Sequence, residues 1–117
     1  MAANQTLESM APPILPASAV AWIDERGATV AAITRHGTIS TCDIGRGRLS
    51  EPAYLAQVVR VIGNRQRVAI LGPGSLRLAL EQAYVATFRR ADRLVDVEPA
   101  GETTLAELLD RLSTLAG

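Results

Sequence analysis

The chain has 117 residues, and its twelve arginines balance twelve acidic residues for a formal net charge of zero, so no global field draws it to a polyanion. Apolar residues make up 48% and charged residues 21%, an ordinary globular composition that excludes a chain too polar to fold. One domain fits this length and a second does not.

Every basic residue is arginine, which reads as codon usage in a GC-rich genome rather than as a functional choice. Cys42 is the only cysteine, so an intrachain disulfide or a cysteine-based zinc cluster is excluded and a reducing, cytoplasmic setting is expected. The longest uncharged stretch, Ser9 to Ile23, contains Pro12, Pro13 and Pro16 and is too short and too broken to span a bilayer. No basic residue precedes Arg26, so an export signal is not expected either.

Residues 1–17 mix polar residues with three prolines and show no apolar period; they are expected to form a flexible arm, with 18–117 as the single folded domain. Three β-rich runs follow, near 19–24, 28–34 and 37–43, separated by the short Gly-containing turns of an antiparallel meander. The first run is apolar on both faces and belongs at the sheet centre. The third alternates Ile39 and Thr41 with Ser40 and Cys42, as an edge strand does.

Ser50 offers a helix N-cap with Glu51 and Pro52 in the first turn, and Leu55, Val58, Val59 and Ile62 recur on one face, predicting a helix over 51–63 that stops at Gly63-Asn64. Arg67 to Leu71 reads as a buried parallel strand stopped by Gly72-Pro73-Gly74. A second helix is predicted over 75–89, with Leu76, Leu80, Ala83 and Tyr84 on one face and Leu78, Val85 and Phe88 widening it. A fifth strand falls at 93–97. Thr104 and Glu107 are spaced as a capping box ahead of a leucine-rich helix over 104–116. The order βββαβαβα predicts an α/β fold with one five-stranded mixed sheet.

That order resembles the ribonuclease H-like three-layer sandwich. Ala19 to Ala28 (Ala-Val-Ala-Trp-Ile-Asp-Glu-Arg-Gly-Ala) is similar to the Trp-Ile-Asp-His-Arg-x-Ala start of small bacterial proteins related to the middle domain of archaeal and eukaryotic peptide-chain release factors and Pelota. Ile70 to Arg77 resembles that group's Gly-Pro-Gly-x-x-Lys segment, with Arg77 at the lysine position, and Val97-Glu98 before a polar loop and last helix resembles its ending. The resemblance covers about residues 19–116 and implies a domain of translation, with possible RNA or ribosome contact. It does not carry over hydrolysis: the release-factor domain uses a Gly-Gly-Gln tip, and no Gly-Gly-Gln occurs here. Where the relatives have Asp-His-Pro-Thr after Val-Glu, this chain has Ala100 to Thr104, so chemistry resting on that histidine is absent too.

Several constellations carry a functional reading beside a plainer one. Asp24, Asp43 and Asp96 stand at or near strand ends and would serve a metal-dependent, ribonuclease H-like hydrolase if they converged; the alternative is that they close turns. Gly72, Gly74 and Ser75 open a helix whose first amides, with Arg77, could hold a phosphate, though the turn is too short and lacks the Lys-Ser/Thr pair of a Walker loop. Arg46 and Arg48 would add a modest cationic edge at the same end of the sheet if the third and fourth strands run parallel; a solvated loop is the plainer account. Arg89, Arg90 and Arg93 suit a helix C-terminus. His36 has no partner at a motif spacing, so no triad is argued. No pattern implies a cofactor.

The expected function is thus a non-catalytic binding domain. A metal-dependent hydrolase and a purely oligomerising protein are the alternatives. With no net charge to keep copies apart and no lysine or proline in the third strand to block edge pairing, a homodimer is expected, meeting through this strand or through the neighbouring helix surface that carries Tyr54.

Overall fold

The computed structural model describes residues 16–117; most of the expected arm, residues 1–15, lies outside the described residues. The strands are β1 (Ser18–Ile23), β2 (Gly27–Ile33), β3 (Ile39–Gly45), β4 (Arg67–Gly72) and β5 (Leu94–Pro99). The helices are α1 (Glu51–Ile62), α2 (Leu76–Phe88) and α3 (Leu105–Ala116), with a short 3-10 turn at Ala91–Arg93. All five strands join one sheet in the order β3-β2-β1-β4-β5. The β1-β2 and β2-β3 pairs are antiparallel; β1-β4 and β4-β5 are parallel.

Alternation along β1 explains the layering. Ala19, Ala21 and Ile23 face a core built with Tyr54, Val58 and Ile62 of α1 and Leu80 and Tyr84 of α2. Val20 faces the other way, onto Leu108, Leu112 and Leu115 of α3. The central strand is therefore apolar on both faces because both are covered, as its sequence implies.

The expected caps are present. Ser50 Oγ accepts a hydrogen bond from the Ala53 amide, and Gly63 takes a left-handed φ of 72° to end α1. Thr104 and Glu107 form the reciprocal capping box at the start of α3. Tyr84 is fully buried, yet its hydroxyl donates to the Gly63 carbonyl at 2.9 Å and accepts from the Arg65 amide at 3.2 Å, tying α2 to the end of α1. At the N-terminal side, Ala17 already exchanges hydrogen bonds with Gln66.

Three details differ from expectation. The third strand starts at Ile39 rather than residue 37, because Thr34 and Thr38 close the preceding turn through both backbone and side chain. Its alternation also marks no buried face: Ile39 to Asp43 are all exposed and only Ile44 is buried. Helices cover the centre of the sheet and stop short of this edge. Leu78, expected to widen the buried face of α2, is exposed at 44%, since α2 packs along Leu76, Leu80 and Tyr84.

Candidate functional site

β1, β3, β4 and β5 run in the same direction, so their C-terminal ends lie along one edge of the sheet. This edge carries the Asp24-Glu25-Arg26 turn, the Arg46 to Arg48 loop and the Gly72-Pro73-Gly74 turn. An open cleft of about 360 Å³ lies between the first and last of these, lined by Asp24, Glu25, Arg26, Pro73, Gly74, Ser75 and Leu76.

Each wall has a local cause. Asp24 Oδ1 accepts from the amides of Arg26 and Gly27 at 2.8 and 3.0 Å, folding the β1-β2 turn on itself. Tyr54 Oη donates to the Asp24 carbonyl, so α1 holds the turn from beneath. On the opposite wall, Gly72 brings β4 against β1: a Cβ there would sit 2.3 Å from the Ile23 carbonyl oxygen. Gly74 has open space around it, and its carbonyl accepts from the Arg77 guanidinium. Ser75 begins α2 without capping it through its side chain.

Arg46 and Arg48 share this edge but not the cleft. The Arg46 amide donates to the Arg26 carbonyl at 2.9 Å, coupling the loop to the β1-β2 turn. Its guanidinium lies 5.5 Å from the centroid of the Tyr54 ring, and its Nε donates to the Leu49 carbonyl. Arg48 is exposed at the tip of the loop. Arg26 is the lining cation, and it belongs to no phosphate-binding sequence motif; its signal is its place in the β1-β2 turn, which parallel β1 and β4 put beside the Gly-Pro-Gly turn.

The three aspartates of the metal reading do not meet. Asp24 is engaged in its turn, Asp43 Oδ1 accepts from Thr29 Oγ1 at 2.8 Å on the outermost strand, and Asp96 lies opposite Ala69 within β5, paired with Arg111 at 3.0 Å. Arg111 also bridges to Glu98. Among the described residues no three His, Cys, Asp or Glu side chains are grouped to hold a metal ion. At the far end of α2, Arg89 adopts a left-handed C-cap, while Arg90 grips Asp92 through two bonds of 2.9 Å. Hydrogen bonding from Arg90 holds the Asp92 carboxyl down at about 2.

The crystal structure of Pelota from Archaeoglobus fulgidus superimposes with a TM-score of 0.65 at 12% identity, covering 97% of this chain and 34% of that one. The fold is one found in Pelota. The Thermoplasma acidophilum Pelota structure agrees, with a TM-score of 0.63 and 22% identity over 95% of this chain and 36% of its own. The chain thus spans about a third of each Pelota chain it matches. No protein-family model matches the sequence. No curated protein matches it either. The Pelota likeness agrees with the resemblance carried by the Trp-Ile-Asp and Gly-Pro-Gly segments and with the mixed five-stranded sheet. Among the described residues no helix is long and apolar enough to cross a membrane.

Proposed function

We propose that this chain is a non-catalytic binding domain of translation that works in the cytoplasm as a homodimer and contacts RNA, on or near the ribosome, through the C-terminal edge of its sheet. The observation that carries the reading is the meeting of Arg26 with the Gly74-Ser75 start of α2 across one cleft, with Arg46 and Arg48 continuing the same edge. Backbone amides at a helix start and guanidinium groups are both phosphate ligands. The Pelota fold and the release-factor resemblance supply the setting, and the missing Gly-Gly-Gln supports a role without hydrolysis. The small number of aromatics, with Tyr54 and Tyr84 fully buried, favours contact with the RNA backbone over base stacking.

Fluorescence anisotropy with a labelled, structured RNA tests this. Binding should weaken steeply between about 50 and about 200 mM salt, as phosphate contacts require, and an Arg26→Ala/Arg48→Ala double variant should lose about tenfold in affinity and flatten the salt slope. Equal binding by the double variant, or none by the native protein at low salt, would sink the proposal.

A further inference from the structure

The outer edge of β3 specifies how a second copy would add to the sheet. Thr34 donates its amide to the Thr38 carbonyl at one end of the β2-β3 ladder, and Arg46 donates to the Arg26 carbonyl at the other. In an antiparallel ladder, residues directly opposite alternate between hydrogen-bonded and non-bonded pairs. The register Ile33 to Ile39 through Gly27 to Gly45 therefore makes Ser40, Cys42 and Ile44 the residues bonded to β2. The amides and carbonyls of Ile39, Thr41, Asp43 and Gly45 point out of the sheet.

The two edges of the sheet differ. β5 carries Asp96, Glu98 and Pro99, and Arg111 reaches across it to both acidic groups, which are the features that discourage strand addition. β3 has one charge, Asp43, no proline and exposed residues along most of its length. A second copy brings the same outward-pointing set, so only registers that place odd residues opposite odd residues make main-chain bonds.

Three such two-fold registers overlap well. An axis at Asp43 sets one carboxylate directly opposite the other, and an axis at Thr41 sets Asp43 opposite Ile39; both are poor pairs. An axis at Cys42 overlaps the whole strand and sets Thr41 opposite Asp43 twice. That repeats a pair the chain already makes, since Thr29 lies opposite Asp43 within the sheet and donates to Oδ1 at 2.8 Å. The same axis puts Ile39, exposed at 55%, over Gly45, where a side chain would meet nothing within 4 Å. It also sets Cys42 opposite Cys42.

We propose that β3 pairs antiparallel with β3 of a second copy about a two-fold axis at Cys42, giving one continuous sheet across the two copies. This rests on the reading that the chain is a homodimer and adds the surface and the register. Cys42 is exposed and free, and its Sγ lies 3.9 Å from the outward-pointing Asp43 carbonyl, leaning toward the partner edge. In this register the two Cys42 residues form a non-bonded pair with Cα atoms about 4.5 Å apart, inside the span a disulfide accepts. Two Thr41 residues are instead diagonal neighbours about 7–8 Å apart, beyond it.

The experiment combines sedimentation at micromolar concentration with cross-linking by added diamide. Two Cys42 thiols lose two protons and two electrons to diamide, which becomes the hydrazine, and an S–S bond joins the copies. The native protein should sediment as a dimer and cross-link at least tenfold faster than Thr41→Cys/Cys42→Ser and Asp43→Cys/Cys42→Ser, and Cys42→Ala should remain a dimer that does not cross-link. A dimer that cross-links fastest through position 41 or 43, or that does not cross-link at Cys42, overturns the register and leaves the homodimer reading standing. A monomer with the fold intact overturns both.

Discussion

The Tyr54 hydroxyl donates to the Asp24 carbonyl at 2.9 Å, joining the first helix to the turn that forms one wall of the cleft. Burial, reinforced by the negative charge of Asp24 and opposed by the Arg46 guanidinium, pushes this phenol up from 10.0 to about 12. The unfolded chain therefore loses this proton first. The contribution to stability is complete below pH 10 and declines as pH rises from 10 through about 12. Tyr54→Phe should cost about 1 kcal/mol at neutral pH and remove this dependence. Denaturant melts of both proteins across that pH range provide the comparison; parallel curves would contradict the assignment.

Gly72 and Gly74 look equivalent in Gly-Pro-Gly but occupy different spaces. Gly72→Ala drives a methyl group toward the backbone oxygen of Ile23, which cannot swing aside as a side chain can, and should cost about 3 kcal/mol, the upper end of overpacking. Gly74→Ala meets open space and should stay within about 0.5 kcal/mol of the native protein. Thermal melts of the pair make the test, and equal losses would refute it.

Thr104→Ala removes the hydroxyl that accepts from the Glu107 amide and releases the reciprocal bond from the Thr104 amide to Glu107. The expected loss is about 1 kcal/mol, and Thr104→Ser should recover most of it. A neutral alanine variant in urea melts would show that the box is formed but idle.

What was legible in the sequence was what local chemistry decides. Ser50, Gly63 and the Thr104–Glu107 pair announced their helix ends because a cap needs only its nearest neighbours. The double-faced apolar run of β1 announced its central place. The exposure of β3 and of Leu78 was hidden, because the reach of a helix over a sheet is decided by distant elements. For the same reason the Arg111 bridges to Asp96 and Glu98 could not be read from spacing, and Arg26 became a cleft residue only once parallel β1 and β4 had set two turns side by side.

The role of Asp24 separates a folding aspartate from a catalytic one. Its Oδ1 accepts from two backbone amides, a task that the amide oxygen of asparagine can also perform, so Asp24→Asn should fold with nearly native stability. Asp24→Ala leaves the amides of Arg26 and Gly27 without this acceptor and should cost about 1.5–3 kcal/mol, the range for bonds to a charged group. A carboxylate working on a divalent metal would behave differently, since the asparagine variant would fold and yet lose activity. The native protein, Asp24→Asn and Asp24→Ala should therefore be incubated with structured RNA and with peptidyl-tRNA in magnesium or manganese, beside melts of all three. The expected result is no cleavage of either substrate by any of them, with a stability loss confined to the alanine variant. Metal-dependent cleavage by the native protein that Asp24→Asn abolishes would restore the hydrolase reading and make Asp24 its first ligand.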